Sequence, residues 1–173
     1  MNDFQKTAKE MLDFITKSPT CFHAVANIGT MLEAAGYEKL QENEEWKLEK
    51  GGKYYTERND SSVIAFAIPA GTVKGFHMAA AHSDSPSFKV KEKPELAVEE
   101  HYLRLNTEKY GGMILSTWLD RPLSVAGRLA VRGEFGIESR LVNIDRDLCV
   151  IPNVAIHMNR EMNKGVEYNP QVD

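Results

Sequence analysis

Cysteine is scarce in this chain: Cys21 and Cys149 are its two cysteines among 173 residues, far apart and in no metal-type spacing. A disulfide framework is therefore excluded, and reduced thiols in a cytoplasmic setting are the expectation. Long apolar runs are absent too. None approaches the roughly 20 residues of a membrane span, so no membrane partner is expected. The opening Met1-Asn2-Asp3-Phe4-Gln5 has neither the basic nor the apolar region of a secretory signal. Excess positive charge is also missing: 21 Lys and Arg face 25 Asp and Glu, for a net charge of -4. Nucleic-acid binding needs a basic stripe that displaces phosphate counterions, and these cations are scattered, so no nucleic-acid partner is expected. There is no G-x-S-x-G elbow and no Walker A loop. The glycine pairs Gly51-Gly52 and Gly111-Gly112 suit turns better than phosphate cradles.

What is present is an ordinary globular composition, 42% hydrophobic and 27% charged, in a chain long enough for one domain or one domain plus part of another. Phe4, Ala8, Met11, Leu12 and Ile15 recur at helical spacing. Ser18-Pro19-Thr20 breaks that helix, and a second runs from about Phe22 to a stop at Gly36. Trp46–Lys50 and Lys53–Glu57 flank Gly51-Gly52 and read as a hairpin. Ser62 to Ile68 is apolar on both faces, as for a strand covered on both sides, and Gly75 to Ala81 repeats the pattern. Helices followed by buried strands predict an α/β layer structure. Beyond Pro86 the pattern alternates, at Phe88–Lys91, Leu103–Leu105 and Ala126–Arg132, with further strands expected at Leu141–Ile144 and Val154–Met158. That region is mostly β with one wet face, and a boundary is expected between Pro86 and Pro94. The chain stops at Asn169-Pro170-Gln171-Val172-Asp173 with no evident closing element.

The sharpest chemical feature is His82-Ser83-Asp84, at the end of the second apolar run. Ligands gather beyond the carboxyl ends of strands in open α/β sheets. Two residues apart on extended backbone, His82 and Asp84 project to one side. A neutral imidazole binds zinc through one nitrogen, and a carboxylate that accepts the other N–H fixes the tautomer and strengthens the donor. Taken alone the triplet is weak, because a histidine at a strand end is more often a hydrogen-bonded structural residue. His77 lies an odd number of positions away and faces the other way. His23 stands in a first helical turn and packs or hydrogen-bonds there, and His101 and the Glu44–Glu45 pair are expected in solvent. The default for His157, in the apolar run Val154–Met158, is a buried histidine with its hydrogen bonds met.

Together these segments resemble the aspartyl aminopeptidase family of zinc metallopeptidases, in its bacterial branch. Ser18-Pro19-Thr20-Cys21-Phe22-His23-Ala24-Val25 is similar to the family's early helix-start motif, and Gly51-Gly52-Lys53-Tyr54-Tyr55 with Thr56-Glu57-Arg58-Asn59 to its hairpin. Ala81-His82-Ser83-Asp84-Ser85-Pro86 matches the metal-binding motif. Tyr110-Gly111-Gly112, Ser116-Thr117-Trp118-Leu119-Asp120-Arg121 and Leu123-Ser124-Val125-Ala126-Gly127-Arg128 resemble the entry to a second domain, and Ile151 to Arg160 a later segment of it.

The resemblance implies residues 1–90 as the N-terminal part of an α/β/α peptidase domain, and 91–173 as part of an inserted β-rich dimerisation domain. It implies a zinc-dependent aminopeptidase acting on peptide substrates, with a two-metal site in the complete enzyme and assembly into homo-oligomers. His82 becomes a zinc ligand and Asp84 its orienting partner. His157 matches a family histidine that serves as metal ligand or substrate contact. The resemblance stops in mid-domain, so the remaining ligands are expected elsewhere and the isolated chain is expected to be inactive. Two further readings compete: a non-catalytic homo-oligomerisation or binding module, and a different hydrolase with a site local to this chain.

Overall fold

The computed structural model describes residues 2–99 and 101–165; Met1, Glu100 and residues 166–173, with the closing stretch 169–173 among them, lie outside the described residues. It is a mixture of helix and strand, and it divides into two compact units, Met1–Asp84 with Val125–Asp145, and Ser85–Ser124 with Arg146–Asp173.

The first unit opens with helix α1, Asp3–Lys17, whose end is built by a capping box. The Gln5 N–H donates to Asn2 Oδ1 at 2.9 Å, and the Asn2 N–H donates to Gln5 Oε1 at 3.1 Å. The apolar stripe read from the sequence is real, but no residue of the helix is buried, and Phe4, Met11, Leu12 and Ile15 stand exposed. Helix α2, Cys21–Ala34, starts at the Thr20 cap. It ends in a Schellman pattern: Gly36, at φ 81°, donates to Glu33 O, and Tyr37 donates to Leu32 O.

Beyond Gly36 come three strands, β1 (Glu38–Lys39), β2 (Lys53–Arg58) and β3 (Ser62–Ala67), in spatial order β1-β2-β3. β1 runs parallel to β2 and β3 antiparallel to it. The expected hairpin is displaced by one element. Trp46–Lys50 forms no strand. Trp46 instead stacks on Phe66 of β3 and donates through Nε1 to Gln41 O, and the Glu49 N–H is taken by the Tyr54 hydroxyl. The observed hairpin joins β2 to β3 through Asn59, Asp60 and Ser61, with Asn59 and Asp60 both left-handed at φ 54° and 55°. β3 is present as expected but not covered on both faces, and Ile64 is 66% exposed. Residues 75–81 form no strand: among the described residues none of positions 69–86 joins a backbone ladder. High apolar content supplies β-propensity, but a strand exists only where a partner accepts its hydrogen bonds.

The core is small: Ala24 and Val25 of α2, Leu40, and Tyr54 and Tyr55 of β2. Gly29 of α2 is buried and faces β2, where a Cβ would meet the Glu57 carboxylate at 2.8 Å and the Tyr55 ring at ordinary contact distance. The same unit includes the antiparallel hairpin β6 (Ala126–Gly133) and β7 (Gly136–Asn143), turning at residues 134–135.

The second unit is built on the antiparallel pair β4 (Ser87–Val98) and β5 (Tyr102–Tyr110). Register shifts between Val90 and Glu95, a stretch containing Pro94, which has no N–H to give a ladder. Asn106 satisfies the irregularity by donating to Lys93 O at 3.1 Å. Phe88 meets Trp118 edge-on at 5.3 Å between ring centres. Bridges join Leu119 to Ile151 and Leu123 to Cys149. The expected strand at 154–158 is absent. Asn153 instead gives its N–H to Asp120 Oδ1 and takes the Val154 N–H on its own side chain, so the backbone leaves the extended state for a turn at 156–158.

Candidate functional site

His82, Ser83 and Asp84 lie in the first unit, at the far end of the irregular stretch 69–86 rather than at a strand terminus. Alternation still holds locally. His82 Nδ1 lies 2.8 Å from the Asp84 backbone oxygen and 3.1 Å from Asp84 Oδ1. A carbonyl oxygen can only accept, so the neutral ring carries its proton on Nδ1. The lone pair is then on Nε2, and the side chain is 81% exposed. One imidazole nitrogen is thus committed by an acidic partner and the other presented outward, which is the chemistry of a divalent-metal donor with its orienter.

The Ser83 hydroxyl donates to Ser61 O at 2.7 Å, fastening this triplet to the end of the β2–β3 turn. Sequence reasoning did not find that bond, because it joins residues far apart in the chain. The turn is itself held. Arg128 of β6 donates through Nη1 to Asn59 O at 2.8 Å and to Asp60 Oδ2 at 3.2 Å, and its guanidinium lies 4.2 Å from the centre of the Phe22 ring.

His157 belongs to the second unit, in the turn at 156–158, and is exposed. The default of a buried histidine is therefore corrected: His157 is in a turn rather than a strand, and its side chain is exposed. His23 does hydrogen-bond in its helix, with Nδ1 2.8 Å from Thr20 Oγ1, and burial pushes its pKa below the usual 6.5. His77, His101, Glu44 and Glu45 are exposed. A cleft of about 270 Å³ lined by Phe22, Val25, Glu57, Asp60 and Leu141, among others, does not include His82. Among the described residues no group of three or more His, Cys, Asp or Glu side chains could hold a metal ion. His82 with Asp84 fits one corner of a zinc site, and zinc takes about four donors.

Residues 14–173 match the family model described as aminopeptidase I zinc metalloprotease (M18). A probable M18 family aminopeptidase 2 from Clostridium novyi (strain NT) is 52% identical over 172 residues, covering 97% of this chain and 40% of that protein. Among solved structures, a chain of the Ape4 and Nbr1 complex superposes with a TM-score of 0.88 at 39% identity, covering 95% of this chain and 32% of that one. The S. cerevisiae mApe1 dodecamer gives a TM-score of 0.81 at 31% identity, covering 90% of this chain and 37% of its own. The chain spans about 40% of the length of the curated relatives it matches.

Proposed function

The chain belongs to the M18 family of aminopeptidase I zinc metalloproteases, and from that premise we propose that it supplies part of a zinc-dependent aminopeptidase that removes N-terminal residues from peptides. The observation that carries this reading is His82, with its Nδ1–H committed to Asp84 and its Nε2 outward. Zinc, when bound, polarises the scissile carbonyl and makes a nucleophile of water at neutral pH. His82 would give the ion one nitrogen donor. Asp84 holds the ring in the tautomer that leaves that donor free and raises its basicity. His157 is assigned by family resemblance as a second metal ligand or a substrate contact, within a two-metal site whose other donors the described residues do not bring together.

The domain reading follows the same resemblance: residues 1–90 as the N-terminal part of an α/β/α peptidase domain, and 91–173 as part of an inserted β-rich domain for subunit pairing. Cytoplasmic residence accords with two free thiols, and no helix among the described residues is long and apolar enough to cross a membrane. Homo-oligomeric assembly is supported by apolar side chains left open on strands, Leu103 at 64% and Ile137 at 83% exposure, and by the dodecamer of the S. cerevisiae relative.

The test is zinc titration of the purified chain by calorimetry, beside His82→Ala and Asp84→Asn, with hydrolysis of peptides bearing acidic and neutral N-terminal residues followed in parallel. Weak binding is expected, lost in His82→Ala, weakened about tenfold in Asp84→Asn, and without turnover. Zinc binding indifferent to His82→Ala would sink the metal assignment. The same open apolar residues favour a second reading, a non-catalytic assembly module. Light scattering that shows self-association, with His82→Ala leaving zinc binding unchanged, would select it.

A further inference from the structure

Among the described residues, none of positions 69–86 joins a backbone ladder, so side-chain contacts beside His82 bear on where the ring stands. The two contacts of His82 to Asp84 are local, between residues two apart in the chain. They would survive in a segment that wandered over several ångströms, and a metal donor so placed could not meet the other donors of a site. Ser83 supplies a long-range tie. Its hydroxyl donates to Ser61 O at 2.7 Å, in a half-buried setting, across a sequence separation of 22.

Ser61 is a good anchor. Its own N–H donates to Arg58 O, closing the turn in which Asn59 and Asp60 are left-handed. That turn joins two strands in continuous register from Lys53↔Ala67 to Arg58↔Ser62. Arg128 clamps it from β6, with one nitrogen on Asn59 O and Asp60 Oδ2 and its plane over the Phe22 ring of α2. The Arg128 side chain is 26% exposed, and its guanidinium can lie against the Phe22 ring while it donates to the turn, a combination an ammonium supports less well. A path of direct contacts therefore runs from α2 and β6 through the turn to the residue beside His82.

We propose that Ser83, seated on the Arg128-clamped turn at Ser61, is a positioning residue that presents His82 Nε2 in a fixed place. This rests on the reading of His82 as a metal donor only for its consequence in metal binding. The placement itself is independent of any metal.

The experiment uses the purified 173-residue chain with histidine ¹⁵N labels, as wild type, Ser83→Ala, Ser83→Thr, Arg128→Lys and His82→Ala. Imidazole nitrogen spectra without metal report the His82 tautomer and ring order, and zinc titration reports affinity. The wild type shows one Nδ1–H tautomer with narrow signals. In Ser83→Ala the His82 signals broaden or mix tautomers, and zinc affinity falls about five- to tenfold. Ser83→Thr, which keeps the hydroxyl, restores both. Arg128→Lys leaves residues 82–84 intact and moves the same signals in the same direction. Unchanged His82 signals in both Ser83→Ala and Arg128→Lys overturn the proposal, even if His82→Ala abolishes zinc binding. Altered signals in those variants, with zinc binding indifferent to His82→Ala, leave the positioning role standing and remove the metal assignment.

Discussion

Tyr55 donates its phenolic proton to Glu33 Oε1 at 2.7 Å, and this bond pins the centre of β2 to α2. Tyr55 is 1% exposed, so the hydroxyl has left water and has this carboxylate as its acceptor. Burial first, then the bond and negative charge of Glu33 and the charge of Glu57, push its pKa up to about 12. Because the folded value lies above the ordinary 10, the folded state keeps a proton that the unfolded state releases. The resulting stability is complete below pH 10 and is lost as pH rises through about 12. Urea unfolding at a series of alkaline pH values should show this decline in the wild type and a shallower one in Tyr55→Phe. At neutral pH, Tyr55→Phe should cost about 1–2 kcal/mol, since the carboxylate loses its partner.

Thr56, next along the strand, is 7% exposed and its Oγ1 has no hydrogen-bond partner among the described residues. A buried hydroxyl with nothing to bond carries its desolvation cost without return. Thr56→Val should therefore raise the unfolding free energy by about 1 kcal/mol, with no change in the denaturant slope. A loss of stability would show that the hydroxyl is satisfied in solution.

Asn59 sits at φ 54°, where a β-branched residue is strained. Asn59→Val should destabilise by about 1–2 kcal/mol, and it should loosen the turn that Arg128 and Ser83 both hold. Thermal melting checks the first effect.

His23 gives the opposite pH behaviour to Tyr55. Its folded pKa lies below 6.5 because burial disfavours the charged ring. The unfolded state therefore binds the proton first, and the contribution is present above pH 6.5 and lost as pH falls below it. Stability measured from pH 7.5 to 5 should fall more steeply in the wild type than in His23→Gln. Equal slopes would show that the ring is not desolvated.

Much of the fold could be read from the residues because it is local. Gly36 stops α2 by a bond pattern within six residues, and the alternation at Ala126–Arg132 returns as β6. The pairing of His82 with Asp84 was legible for the same reason, since a period of two needs no tertiary information. What could not be read depends on partners. The glycine pair at 51–52 and the Asn59-Asp60 pair both look like turns, and only the ladder of β2 with β3 tells which one closes the hairpin. Residues 75–81 and 154–158 have strand composition, but among the described residues the first finds no ladder, and the second gives its Val154 N–H to the side chain of Asn153, whose own N–H goes to Asp120. Ser83 on Ser61 is invisible to any periodicity, and the site is the poorer in a sequence reading for lacking it.

The parallel pairing of β1 with β2 has a consequence for the order of assembly. Strands joined by a tight turn zip together from the turn outward on a microsecond scale, as β2 and β3 can from Asn59 and Asp60. A parallel neighbour has no such starting point and must close the loop of residues 40–52 before its first ladder bond repays the lost chain entropy. Glu38 and Lys39 are therefore expected to dock onto β2 after β2 and β3 have paired.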